Sequence, residues 1–282
     1  MTGGANRDAF DAWNGDSGRH WVVDPDRRDA FAAPVAEALL TAASLQAGEV
    51  VLDVGCGCGA TTLAAARVVG PSGAAHGIDL SEPMLDVAHR RLEASALTNV
   101  TFTMGDAQTH PLAPDAHDIV ISRFGTMFFD DPVAAFANVA ASLRPGGRVC
   151  IASWQPLVAN DWLMVPGIAL LRYATFLDTN GRGPGMFAQS EPGEVRTTFE
   201  RAGYRDIDVM ELDVTLRLGD DPRDATDQLA GTGIGRSVLA TIDDARRAEA
   251  LDAVAAALHD HMSDGGVCLG AGILITTAKR VA

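Results

Sequence analysis

Val50-Val51-Leu52-Asp53-Val54-Gly55-Cys56-Gly57-Cys58-Gly59-Ala60-Thr61-Thr62 decides how the rest of the chain is read. An apolar run passes through an acid into three alternating glycines and then into a helical pattern. The run reads as a buried strand. The glycines let the backbone turn sharply and approach a ligand, and the helix that follows aims its free N–H groups at that ligand. Asp53 stands just ahead of the first glycine. A second acid, Asp79, closes the next apolar run, Ala74-Ala75-His76-Gly77-Ile78-Asp79, where a carboxylate can accept hydrogen bonds from both hydroxyls of a ribose.

Outward from these two acids, three more segments follow in order. Gly105-Asp106-Ala107 closes a third apolar run, Val100 to Met104; Asp118-Ile119-Val120-Ile121-Ser122-Arg123 is a fourth; Leu143-Arg144-Pro145-Gly146-Gly147-Arg148-Val149 turns into a fifth. Together the five segments resemble the class I S-adenosylmethionine-dependent methyltransferases, strongly from Val35 to about Trp154 and in outline beyond. That resemblance implies S-adenosyl-L-methionine as cofactor and S-adenosyl-L-homocysteine as product. It assigns Asp53, Gly55, Cys56 and Gly57 to the cofactor loop, Asp79 to the ribose, Asp106 and Ala107 to the adenine, and Leu80, Met84 and Arg123 to the same cofactor site. A rival reading stays open, because Gly55-x-Gly57-x-x-Ala60 also satisfies the dinucleotide pattern G-x-G-x-x-G/A. Asp53 argues against it: a carboxylate attracts the ammonium of a methionine tail and repels a diphosphate.

Composition sets the outer bounds. The 282 residues are 47% hydrophobic and 21% charged, enough for a full core in one domain with an appendage. A formal charge of −15, with Lys279 the only lysine, argues against nucleic acid and anionic membrane as partners, since both need clustered cations. Arg19, Arg27 and Arg28 alternate with Asp24, Asp26 and Asp29 and read as a mixed solvated face. No run of about 18 apolar residues occurs, and the first residues lack the order of a signal peptide. A soluble cytoplasmic protein acting on a small-molecule methyl acceptor is therefore expected, with a homodimer left open. Cys56, Cys58, Cys150 and Cys268 match neither a metal nor a disulfide framework, and no metal is expected.

The fold expected is α/β: a Rossmann-like, doubly wound, seven-stranded and mostly parallel sheet with an antiparallel last strand and a helical lid insertion. Strands are read at 50–54, 74–79, 100–104, 119–122 and 148–153. Helices at 34–45, 61–69, 83–96 and 132–143 alternate with them, which means βαβ units. Beyond Trp154 a helix is read over 161–176, a Gly- and Pro-rich stretch over 177–190, a helix over 192–202, a strand over 207–218, a long helix over 243–262 and a last strand over 267–278. The resulting organisation is an N-terminal cap (1–33), a cofactor-binding core (34–154), a lid (155–190) and completion of the sheet (191–282), all in one domain.

The cap contains Trp13-Asn14-Gly15 and Gly18-Arg19-His20-Trp21-Val22. This segment resembles the start of menaquinone- and ubiquinone-methylating enzymes, in which it folds over the cofactor mouth. Packing of both tryptophans onto the core is the alternative. Methyl transfer from a sulfonium needs in-line positioning more than acid–base chemistry, so His20 is the catalytic candidate only for an acceptor that must lose a proton; His110 is a second such histidine. Phe124, Met127, Phe128 and Phe129 follow the fourth strand as an apolar wall beside the acceptor, and Trp13, Trp21, Phe128, Trp154, Tyr173 and Phe187, with Phe176 and Met186 nearby, are expected to line an apolar or aromatic acceptor pocket. O-, N- and C-methylation are all open. So are a methyltransferase fold with another activity, such as a cyclase, and a nicotinamide-dependent oxidoreductase.

Overall fold

The computed structural model describes residues 6–174 and 183–281. Five parallel strands, β1 (Val50–Val54), β2 (Ala74–Asp79), β3 (Val100–Met104), β4 (His117–Arg123) and β5 (Leu143–Trp154), are followed by β6 (Tyr204–Gly219), β7 (Met262–Ser263) and β8 (Gly266–Arg280). They form one sheet in the order β3-β2-β1-β4-β5-β8-β6, with β7 paired to β8. β8 runs antiparallel to both β5 and β6. The expected seven-stranded plan is therefore present, with the two-residue β7 added where the sequence reads as the end of a helix.

The helices are α1 (Arg7–Asn14), α2 (Asp16–Trp21), α3 (Pro25–Phe31), α4 (Ala33–Ala43), α5 (Ala60–Val69), α6 (Glu82–Glu93), α7 (Pro132–Ser142), α8 (Asp161–Leu170), α9 (Pro192–Arg201), α10 (Pro222–Ala230), α11 (Gly233–Leu239) and α12 (Asp244–His259). Strand alternation distributes the core over two faces. Val51 belongs to a buried cluster with Val35, Leu39, Leu63 and Ile121, whereas its neighbours Leu52 and Val54 belong to another with Phe136, Val139 and Phe199. Asp53 thus projects on the Val51 side, toward α5. The order reverses between β1 and β4, so their carboxyl ends flank the crevice where open α/β sheets bind ligands.

Past Trp154↔Ile273, β6 and β8 continue together as a ribbon from Asp213↔Gly272 to Gly219↔Val267. Against this ribbon pack α8 and α10, which both touch α12. The helical layer over the strand ends is therefore larger than the lid expected at 155–190. The helix expected over 161–176 ends at Leu170, and Phe176 lies outside the described residues. Sequence reading missed α10, although Asp221 caps it by accepting from the Arg223 and Asp224 N–H groups and Pro222 occupies its first turn.

A pair of imidazoles, His117 buried and His76 half-buried, joins β2 to β4. His76 Nδ1 lies 3.2 Å from His117 Nε2, and His117 Nδ1 lies 3.3 Å from the Ser142 carbonyl. A carbonyl only accepts, so His117 donates from Nδ1 and accepts His76 Nδ1–H at Nε2. His117 is neutral in this arrangement. Burial first, then the neighbouring His76, lowers the pKa of His117 from 6.5 to about 4. The unfolded chain binds that proton first as pH falls, so this stabilisation is complete above pH 6.5 and is lost progressively until about pH 4. At 1.36 kcal/mol per pKa unit the loss reaches at most about 3 kcal/mol. Urea unfolding of wild type and His117→Asn across pH 7.5 to 4.5 checks this through their difference, which should shrink toward acid. The difference also cancels the opposite contribution of Asp53, whose raised pKa described below favours the native state as pH falls.

Candidate functional site

The glycine loop is shaped by three left-handed glycines, Gly55, Gly57 and Gly59. Gly55 has a second reason to lack a side chain: a Cβ there would stand 2.5 Å from Gly125 Cα. One on Gly57 would meet the end of Met84 at 2.7 Å. The loop is held from outside by Asp79, whose Oδ2 accepts from Gly57 N–H and Oδ1 from Ser81 N–H, both at 2.8 Å. Each oxygen keeps a further acceptor site, which suits two ribose hydroxyls.

Asp53 is 1% exposed, and its Oδ2 accepts the Thr62 hydroxyl at 2.7 Å. Burial raises its pKa from 3.8 to about 7, against the Thr62 hydrogen bond and the attraction of Arg123. Burial also raises the pKa of Asp79, opposed by its backbone donors. Two desolvated carboxylates at neighbouring strand ends call for a ligand that brings positive charge and hydroxyl donors. A methionine ammonium and a ribose supply them, so the residues present fit S-adenosylmethionine. A diphosphate would add charge of the wrong sign. Cys56 and Cys58 line this loop as buried thiols; burial pushes Cys58 up to about 11 and Cys56 well above its ordinary range, so neither is a nucleophile at neutral pH.

The cap segment is tied to the same end of the sheet. Asn6 Nδ2 donates to Asp106 Oδ1 at 2.8 Å, and Asn6 exchanges two hydrogen bonds with Asp130. Asn14 Nδ2 donates to the Leu80 carbonyl and its Oδ1 accepts from Glu82 N–H, each at 2.9 Å, while Ser81 Oγ donates to the Trp13 carbonyl at 2.7 Å. Trp13 packs edge-on against both Trp21 and Phe128 and touches the cluster of Cys58, Met84 and Val87. Behind it, Asp29 of α3 binds Arg91 at 2.8 Å and Arg123 at 3.1 Å. Arg123, expected to face the cofactor, is thus engaged by the cap. Asp106 is likewise shared, since Gln108 N–H and the Thr109 hydroxyl also bond to it. Ala107 is buried beneath it in the Val54 cluster.

His20 is exposed, and its Nδ1 lies 2.7 Å from the Asp16 carbonyl of its own helix. His110 packs its ring over Gly105 at the β3 end.

Across the crevice, Phe124 and Trp154 at the ends of β4 and β5 stack with centroids 4.1 Å apart and planes 12° off parallel. Trp162 backs Trp154 at 5.3 Å, and Phe31 meets Trp162 edge-on at 5.2 Å. Phe187 and Met186 pack against the same core, and Gly185 N–H donates to the Met127 carbonyl at 3.0 Å. Tyr173 turns away to α12, its hydroxyl 2.9 Å from Glu249 Oε1. Ser122, at the end of the fourth apolar run, and Gly125 complete the turn after β4. Ser122 Oγ donates to the Val54 carbonyl at 2.6 Å and accepts from Gly125 N–H at 3.2 Å. Phe124 between them is left-handed, at φ +66°, a conformation that costs a non-glycine residue about 1–2 kcal/mol.

Comparison with known proteins agrees with this geometry. A methyltransferase-domain family profile matches residues 51–147. The chain is 34% identical over 123 residues to an aklanonic acid methyltransferase of Streptomyces, covering 44% of this chain and 56% of that protein. It is 30% identical to a nocamycin O-methyltransferase of Saccharothrix syringae (66% of this chain, 70% of that protein), and 33% identical to a demethylmenaquinone methyltransferase of Geobacillus (59% and 75%). Among solved structures, a Haemonchus contortus phosphoethanolamine N-methyltransferase in complex with S-adenosyl-L-methionine superposes with a TM-score of 0.62 at 18% identity, covering all of this chain and 61% of that one. Identity of this degree over 70% and 75% of two relatives' lengths, on a shared fold, means that the chain belongs to the S-adenosylmethionine-dependent methyltransferases.

Proposed function

We propose that the protein methylates a small, largely apolar or aromatic acceptor held between the glycine loop and the Phe124–Trp154 wall. The observation that carries this reading is the pair of carboxylates at the ends of β1 and β2, Asp53 buried and Asp79 half-buried with its oxygens on the Gly57 and Ser81 N–H groups. When bound, S-adenosylmethionine supplies an already electrophilic methyl group. Asp53 binds its ammonium, Asp79 its ribose, and the cap residues Asn6, Trp13 and Asn14 exclude water from the cleft. Water exclusion and in-line positioning are worth up to roughly 7–11 kcal/mol of the barrier. The demethylmenaquinone methyltransferase among its relatives supports a quinone-like acceptor. Among the described residues no helix is long and apolar enough to cross a membrane.

Calorimetric titration with S-adenosylhomocysteine, with NADH in parallel, tests the reading. Micromolar binding of the former alone is expected, and binding of NADH alone would overturn it. The same titration has a distinct pH profile. Only ionised Asp53 attracts the ligand ammonium, so affinity should rise with pH through about 7 and level off above. At pH 6 it should be about ten-fold below the plateau, and Asp53→Asn should flatten the profile.

A further inference from the structure

Phe124 is the one large side chain among the described residues on a left-handed backbone; the other non-glycine cases are Asn6, Ser44, Asp115 and Asp206. The turn itself explains the dihedral. Phe124 N–H donates to the Ala152 carbonyl at 3.0 Å, and the bend then presses Gly125 against the cofactor loop, where a Cβ would stand 2.6 Å from the Val54 carbonyl. It does not explain the phenylalanine, since glycine or asparagine adopts this conformation more readily. The ring is retained against local preference, which points to a use for it. One face lies flat on Trp154, which is 4% exposed and backed by Trp162, whereas Phe124 keeps part of its surface open. Phe124 is therefore the outermost ring of the row Trp162–Trp154–Phe124, in which Trp162 is tilted by 44° and only Phe124 and Trp154 stack; it lies one residue from Arg123 and two from Ser122, which hydrogen-bonds the strand that carries Asp53.

We propose that Phe124 is the specificity determinant for the acceptor: a planar aromatic acceptor continues the Phe124–Trp154 stack by one ring. This rests on the methyltransferase reading and narrows it to acceptors with an extended flat π-face. Offset stacking rewards a flat ring and gives a puckered saturated one of the same size and charge no equivalent gain.

The test compares 1-naphthoic acid with decahydronaphthalene-1-carboxylic acid by calorimetry on the full chain saturated with S-adenosylhomocysteine. Wild type should bind naphthoate at least ten-fold more tightly than the decalin acid. Phe124→Gly should erase that preference while changing the affinity for S-adenosylhomocysteine less than two-fold and Tm by only a few degrees, because relief of the backbone offsets the lost stacking. Phe124→Tyr should restore the preference. Absence of the preference in wild type, its survival in Phe124→Gly, or a joint collapse of Tm and S-adenosylhomocysteine affinity in that variant would each overturn the proposal, the last by showing that the ring only packs. Failure of the methyltransferase reading itself is seen separately, as wild type that does not bind S-adenosylhomocysteine before any acceptor probe is added.

Discussion

Asp79→Ala is expected to weaken S-adenosylhomocysteine binding by 10- to 100-fold. Hydrogen bonds to a charged acceptor contribute roughly 1.5–3 kcal/mol, and each 1.4 kcal/mol is a factor of ten. The variant removes the ribose acceptor and also the anchor of the loop, since both carboxylate oxygens hold backbone N–H groups, those of Gly57 and Ser81. Asp79→Asn separates the two effects: it keeps one oxygen for the loop and gives up the charge, so its loss should fall between wild type and alanine. The unliganded alanine variant should also lose some stability, because the Gly57 and Ser81 N–H groups are left without their acceptor, so ligand binding is read as the shift above each protein's own unliganded Tm. The thermal shift on saturation with S-adenosylhomocysteine therefore reports the defect, and an undiminished shift in Asp79→Ala would remove Asp79 from the site.

Gly55→Ala should be more damaging, because it fails in the free protein as well. Its φ of +69° is unfavourable for alanine, and the new methyl would lie 2.5 Å from Gly125 Cα, a backbone atom that has no rotamer in which to escape. The expectation is a loss of more than about 3 kcal/mol of stability and of measurable cofactor binding. Gly146→Ala is the control: its φ is +79°, with nothing within 4 Å of the added Cβ, so only the backbone cost of about 1–2 kcal/mol applies. Gly125→Ala makes the same collision from the other side, and combining it with Gly55→Ala should cost less than the sum of the two. Urea midpoints of wild type and the four variants decide this, and equal midpoints for Gly55→Ala and Gly146→Ala would show that the glycine contact is not close.

What could be read from the sequence is what is local. Apolar runs of fixed length place β1, β2 and β3 to the residue, and glycines and acids at their ends place Asp53 and Asp79 in one crevice. Readings that depended on distant partners fared differently. Arg123 sits at the strand end as expected, yet its partner is Asp29, which precedes it by most of a hundred residues. Tyr173 reads as a pocket residue in the lid, and its hydroxyl is held by Glu249 on α12. His20 stands beside two tryptophans in sequence and points along its own helix in space. The strain at Phe124 leaves no trace in the sequence, because the residue that demands a left-handed turn there is its neighbour Gly125, and Gly125 is constrained by Gly55 across the crevice.

The placement of β8 bears on how the protein is made. It is the last strand of the sheet to leave the ribosome, and it lies between β5 and β6. Until it arrives, β5 presents an open apolar edge through Val149, Cys150 and Ile151, and the charged β6 has no strand to pair with. Most of the cofactor crevice can assemble during translation; the sheet that supports it cannot close. Synthesis therefore passes through a stage with a sticky unpaired edge, and mutations that slow the docking of β8 should show first as poor soluble yield, before any change in the activity of the molecules that do fold.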